Sequence, residues 1–185
     1  MGIRTREGKI EAYVFERDIR DTRVSGLREG FAAAPGVAFI GQFVGAFSLF
    51  GRVLADDLGQ LQRRIDGEYF DAGIRSQWSV NLTGDRLAAP KRASPDLCAL
   101  VQVRTTEDPF EVLGRLDERF GGLPEDRSFG AAVATADDFD VLVDLGADTL
   151  EHVIDMVLDL RGVAGVGRTA TAVADLADNA IRPMA

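Results

Sequence analysis

His152, the only histidine of the chain, precedes Asp155 and Asp159 by three and seven residues, spacings that set the three along one face of a helix. An imidazole beside carboxylates is the raw material of a general base or a metal site. This row has too few donors for a metal and lies opposite Leu150 and Val153, so it reads as the solvated face of an amphipathic helix. The acidic groups Asp56-Asp57 and Asp137-Asp138-Asp140 carry hard oxygen ligands. Helix capping accounts for the first group and turn formation for the second. Cys98, the single cysteine, sits in the apolar run Leu97–Val101 and reads as a small buried hydrophobe. No glycine pattern after a strand matches a phosphate or dinucleotide loop. Tyr69, Trp78, Phe39, Phe43, Phe47 and Phe50 suit either the wall of an apolar pocket or a plain core. These types and spacings nominate no catalytic residue, no metal ligand and no cofactor.

The chain that must position them has 185 residues, 46% apolar and 28% charged, with a net charge of −9. That length supports one large or two small domains whose core needs no disulfide or metal. Apolar runs fall short of the ~20 residues of a membrane span, and charges thread the first thirty residues, so a cytoplasmic protein with no membrane partner is expected. Net acidity argues against binding many phosphates, and no direct nucleic-acid partner is expected. Residues 1–92 carry 14 Lys/Arg against 12 Asp/Glu, whereas residues 93–185 carry 7 against 18. Two units of unlike charge follow, each fitted to recognise the other rather than itself.

Hydrophobic period gives the same element order in both units. In the first, a strand over Ile10–Glu16 precedes a helix striped by Val24, Leu27, Phe31 and Ala34. Two strands, Val37–Val44 and Phe47–Leu54, then flank a tight turn at Gly45-Ala46, before a helix striped by Leu58, Leu61, Ile65 and Tyr69 and a strand over Arg75–Leu82. In the second, strands over Leu97–Arg104, Phe129–Thr135, Asp140–Leu145 and Val166–Val173 alternate with helices begun at Asp108-Pro109 and at an Asp148/Glu151 capping box. Leu54-Ala55-Asp56-Asp57-Leu58 and Gly146-Ala147-Asp148-Thr149-Leu150 share Ala-Asp-x-Leu, 92 residues apart. The expected class is α+β: two ferredoxin-like βαββαβ repeats over 9–83 and 97–176, a linker at 84–96 and a tail at 177–185. Apolar residues at both parities of the first-unit strands require a cover for the second sheet face, so the sheets are expected face to face, as in a dimeric α/β barrel. The repeats can pair within one chain or between two.

Each unit resembles the effector-binding (RAM) domain of Lrp/AsnC, or feast/famine, regulators. The first carries Pro35-Gly36-Val37 after its first helix and Gly45-Ala46-Phe47-Ser48 at the hairpin; the second carries Asp137-Asp138-Phe139-Asp140 there and Arg161-Gly162-Val163 after its second helix. The resemblance implies that Gly45, Ala46, Phe47, Ser48, Asp137, Asp138, Phe139 and Asp140 line a ligand site, with glycine admitting a ligand carboxylate to backbone amides and aspartate meeting its ammonium group. It further implies a small-molecule effector, an amino acid by class, and a stand-alone regulator acting through an oligomer or a partner protein. With Met1–Lys9 ahead of the first strand and Arg17, Arg20, Arg23 and Arg28 interleaved with acids, no helix-turn-helix module and no autonomous DNA recognition are expected. The alternative is a small cavity enzyme of the dimeric α/β barrel type, resembling a cofactor-free monooxygenase.

Overall fold

In the computed structural model, residues 9–17, 21–69, 77–81, 87–88, 96–135, 138–175 and 180–181 are described. The first half contains β1 (Ile10–Glu16), α1 (Asp21–Ala32), β2 (Val37–Gln42), β3 (Val44–Gly45), β4 (Leu49–Ala55), α2 (Leu58–Arg64) and β5 (Gln77–Asn81). A π-helical turn, Ile65–Tyr69, prolongs α2. After β6 (Leu87–Ala88) come β7 (Leu97–Thr105), α3 (Pro109–Phe120), β8 (Arg127–Thr135), β9 (Val141–Ala147), α4 (Leu150–Arg161), β10 (Val166–Asp175) and β11 (Ala180–Ile181).

Helix starts follow local hydrogen bonding. Asp108 Oδ1 accepts from the amides of Phe110 at 2.9 Å and Glu111 at 3.3 Å, with Pro109 opening α3. Asp57 rather than Asp56 caps α2, accepting from Gln60 N at 2.7 Å; the Asp56 carboxylate accepts from the Gln60 side chain at 3.0 Å. The cap of α4 is Thr149 rather than the Asp148 of the expected Asp148/Glu151 box. Thr149 holds the extended conformation of a cap and accepts from His152 N at 3.3 Å, one residue later than the acid pattern implied.

The eleven strands form one antiparallel sheet in the order β11-β2-β4-β1-β5-β8-β9-β7-β10-β3, with β6 beside β8. Both halves therefore run in one internal order, β2-β4-β1-β5 and β8-β9-β7-β10. Two short seams join them. Val80 and Asn81 of β5 face Thr135 and Ala134 of β8. On the other side, Ala172 and Val173 of β10 face Gly45 and Val44, while Ala180 and Ile181 of β11 face Gly41 and Ile40. Because β2 and β3 are separated by Phe43 alone, the path returns to its start and the sheet closes into a barrel. The expected linker thus contains a paired strand, with Leu87 and Ala88 facing Ala131 and Gly130, and the expected tail contains β11.

Period two along the strands sorts side chains into three cores. Ile10, Ala12 and Val14 point outward, where Phe31, Leu61 and Tyr69 cover them. Ala99, Val101 and Val103 do the same beneath Val112, Leu116, Val153 and Leu160. The inward set joins both halves: Tyr13, Phe15, Phe43, Phe47 and Phe50 meet Leu100, Ala132, Ala134, Phe139, Leu142, Ala172 and Ala174. Large aromatics from one half interlock with small residues from the other, which supplies the cover required by the two-faced strand pattern.

Val44 and Gly45 leave β4 and turn to β10, so Gly45-Ala46 is not the tight hairpin turn expected. Gly45 has φ +134°, and a Cβ there would collide with the Thr171 carbonyl oxygen. Gly45→Ala is expected to destabilise the barrel by about 1–3 kcal/mol through backbone strain. Thermal denaturation checks this at about 2–4 °C per kcal/mol for a chain of this size.

Candidate functional site

A polar row lies on the inward face of the first half. Trp78 and Val80 of β5 pack in the outer core, so Ser79 and Asn81 turn inward, as Glu11 and Tyr13 do on β1. Tyr13 stands between Arg52 on β4 and Ser79 on β5. One row along, Glu11 Oε2 accepts hydrogen bonds from Asn81 Nδ2 at 2.8 Å and Tyr13 Oη at 3.2 Å. Arg52 Nε is 3.5 Å from Glu11 Oε1. Glu11, Ser79 and Asn81 are almost fully buried, whereas the Arg52 side chain is 28% exposed and forms the solvent-facing end. Ser79 Oγ has no hydrogen-bond partner among the described residues.

The same register positions in the second half carry different chemistry. Leu100 stands between Asp144 and Ala172, and Cys98 between Gly146 and Ala174. The polar contact described there is the Cys98 thiol donating to Asp144 Oδ1 at 3.2 Å. Burying a carboxylate is costly unless donors surround it, and around Glu11 two neutral donors and a guanidinium do so. Chemically, this row offers a proton acceptor in a low-dielectric interior, a phenol to relay a proton, and a cation to stabilise a nearby anion.

The residues of the two hairpins are placed elsewhere and held by internal partners. Gly45 lies in the β10 seam, and Ala46 N donates to Thr171 O at 3.0 Å. Phe47 and Phe139 are buried in the barrel interior, and Ser48 N donates to Glu16 O at 2.8 Å. Asp138 accepts from Arg17 at 2.6 Å; Asp140 accepts from Thr105 N at 2.8 Å and from its hydroxyl at 3.2 Å. Asp137 lies outside the described residues. The six aromatics also divide. Tyr69 and Trp78 stack with ring centres 5.4 Å apart in the outer core, while Phe39 and Phe50 sit 6.0 Å apart inside with Phe43 and Phe47. The Tyr69 hydroxyl donates to Pro35 O at 2.6 Å; burial pushes its pKa up, and the Arg64 charge opposes that rise.

Glu11, Arg52, Ser79 and Asn81 form no motif in the sequence. Their signal is parity: each interrupts an apolar strand at a position where both sheet faces are covered, and a polar group there must be buried.

His152 points away from the row, with Nδ1 3.2 Å from Asp126 Oδ2. Among the described residues, no three His, Cys, Asp or Glu side chains converge as metal ligands, and no helix is long and apolar enough to cross a membrane.

Neither a protein-family model nor a curated protein matches this sequence. Solved structures do share its fold. A candidate monooxygenase from Lactobacillus acidophilus NCFM matches with TM-score 0.57 and 9% identity, over 95% of this chain and 94% of its own. An anthrone oxidase-like protein matches with TM-score 0.60 and 11% identity, over 94% and 91%. The siroheme decarboxylase NirDL, solved with an iron-uroporphyrin III analogue, matches with TM-score 0.66 and 10% identity, over 90% and 71%. This is an α+β fold with one large antiparallel sheet, shared with these proteins.

These neighbours overturn the expectation of a stand-alone amino-acid-sensing regulator. The physical reason lies in the hairpins: the backbone of Gly45 is committed to barrel closure, and the Asp138 and Asp140 carboxylates are occupied by Arg17 and Thr105. A porphyrin held by histidine does not fit this chain. Its one histidine lies on α4, among residues that cover the outer side of the sheet.

Proposed function

We propose that this protein is a small barrel enzyme of monooxygenase-like type, and that its reaction centre is the row Glu11, Tyr13, Arg52 and Asn81. The scaffold in this reading is two ferredoxin-like repeats with sheets face to face, supported by the shared strand order of the halves. The observation that carries the reading is Glu11: a carboxylate 2% exposed inside the barrel, met by Asn81, Tyr13 and Arg52.

The substrate class is a planar apolar compound with an activated CH₂ group. Glu11 takes a proton from that carbon, and Arg52 stabilises the resulting anion. The anion adds dioxygen, and the proton held on Glu11 passes to the peroxide. Loss of water then leaves the ketone, so that R₂CH₂ + O₂ gives R₂C=O + H₂O. No cofactor enters this balance. The experiment is oxygen uptake and ketone formation with anthrone, a compound of this class. Turnover by the wild type and its loss in Glu11→Gln support the reading; equal rates in both proteins, or no turnover by either, sink it.

A further inference from the structure

Ser79 is the one inward polar side chain of the row whose hydrogen-bonding capacity is unused. It is 1% exposed, and its Oγ has no partner among the described residues, although Glu11, Tyr13 and Asn81 beside it are all bonded. A buried hydroxyl left in this state costs stability, and alanine, which lacks the hydroxyl, would remove that cost. Packing alone gives no reason for serine, because the matching position in the second half is Ala172, facing Leu100 as Ser79 faces Tyr13.

Resting on the function proposed above, we infer that Ser79 is a specificity-determining residue that donates a hydrogen bond to a carbonyl oxygen of the substrate. Its place fixes what that oxygen must be. Ser79 lies opposite Tyr13, one row from Glu11, on the neighbouring strand. Diagonal positions of this kind are about 7–8 Å apart. An oxygen at hydrogen-bond distance from Ser79 and a C–H within reach of Glu11 therefore belong to one compact molecule, with the carbonyl a few bonds from the acidic carbon. Deprotonation there moves charge onto the carbonyl oxygen, so the Ser79 bond strengthens as the anion forms. Arg52, at the solvent-facing end of the same row, contributes the positive charge.

Ser79→Ala tests this in two ways that do not depend on turnover. In the ligand-free protein the substitution is expected to raise Tm by a few degrees, because it deletes an orphaned hydroxyl. Anaerobic fluorescence titration then compares anthrone with 9,10-dihydroanthracene, which differs by lacking the oxygen. The wild type is expected to prefer anthrone by about tenfold or more, and Ser79→Ala to bind the two alike. A lower Tm in Ser79→Ala, an unchanged preference, or no binding of either compound by the wild type overturns the inference. Oxygen-selective binding without turnover would keep Ser79 in its role and remove the catalytic reading; Glu11-dependent turnover with unchanged selectivity in Ser79→Ala would do the reverse.

Discussion

Glu11→Gln is expected to lower turnover of a CH-acidic substrate by about 10²–10⁴-fold, the range lost with a positioned general base. Glutamine keeps the shape and one accepting oxygen, so it can still receive hydrogen bonds from Asn81 and Tyr13, which stand 2.8 and 3.2 Å from Glu11 Oε2. It cannot hold a proton between substrate and peroxide, and it removes the charge facing Arg52. Because the Arg52 side chain is 28% exposed, water can solvate it after the exchange, and the fold is expected to survive with a modest fall in Tm. Glu11→Asp separates the two effects: the charge remains while the carboxylate retreats by one methylene. Partial turnover in Glu11→Asp, against almost none in Glu11→Gln, is the expected pattern in steady-state assays. Matching losses in both, in proportion to lost stability, would make Glu11 a packing element only.

Phe15→Ala is expected to produce the largest loss of stability, about 3–5 kcal/mol. Phe15 is fully buried, and its ring centre lies 5.1 Å from that of Phe47, 5.3 Å from Phe50 and 5.5 Å from Phe139. It therefore links both halves across the barrel interior, and its removal opens a space that neighbours anchored on three other segments cannot refill. At about 2–4 °C per kcal/mol, Tm should fall by roughly 6–20 °C in a calorimetric scan. Phe15→Leu, which restores much of the volume, is expected to recover most of that loss. A small shift in Phe15→Ala would mean that the interior is loosely packed at this point.

The element order was legible because apolar period and turn chemistry are local properties. Asp108-Pro109 capped α3 as its residue types demand, and both parities of β1 proved buried. The cap of α4 was misread because Asp148 and Thr149 both suit a cap, and only the backbone geometry chooses between them. Barrel closure was out of reach for a stronger reason. It depends on Val44 and Gly45 leaving one ladder for another about 127 residues away, which no local pattern encodes. The site was hidden for a related cause: Glu11, Arg52, Ser79 and Asn81 come from three strands and acquire meaning only when register aligns them. Charge imbalance between the halves pointed to their pairing, and Arg17–Asp138 is an ion pair between them. Both of its side chains are about 40% exposed, so its contribution is small beside the phenylalanine interior.

The seams have a bearing on how the molecule comes apart. Among the described residues two pairs hold β5 to β8, and the opposite seam is broken at Phe43, whereas the ladders within each half run for most of a strand. Each half keeps its own outer core of helices on sheet. The halves are thus expected to open as separate cooperative units along the barrel interior, which hydrogen exchange under mild denaturant would show as two distinct protection levels. An opened chain presents a phenylalanine face on one half and an alanine face on the other. At high concentration those faces can meet their complements in a second chain, so the route by which this barrel unfolds is also its route to an exchanged dimer.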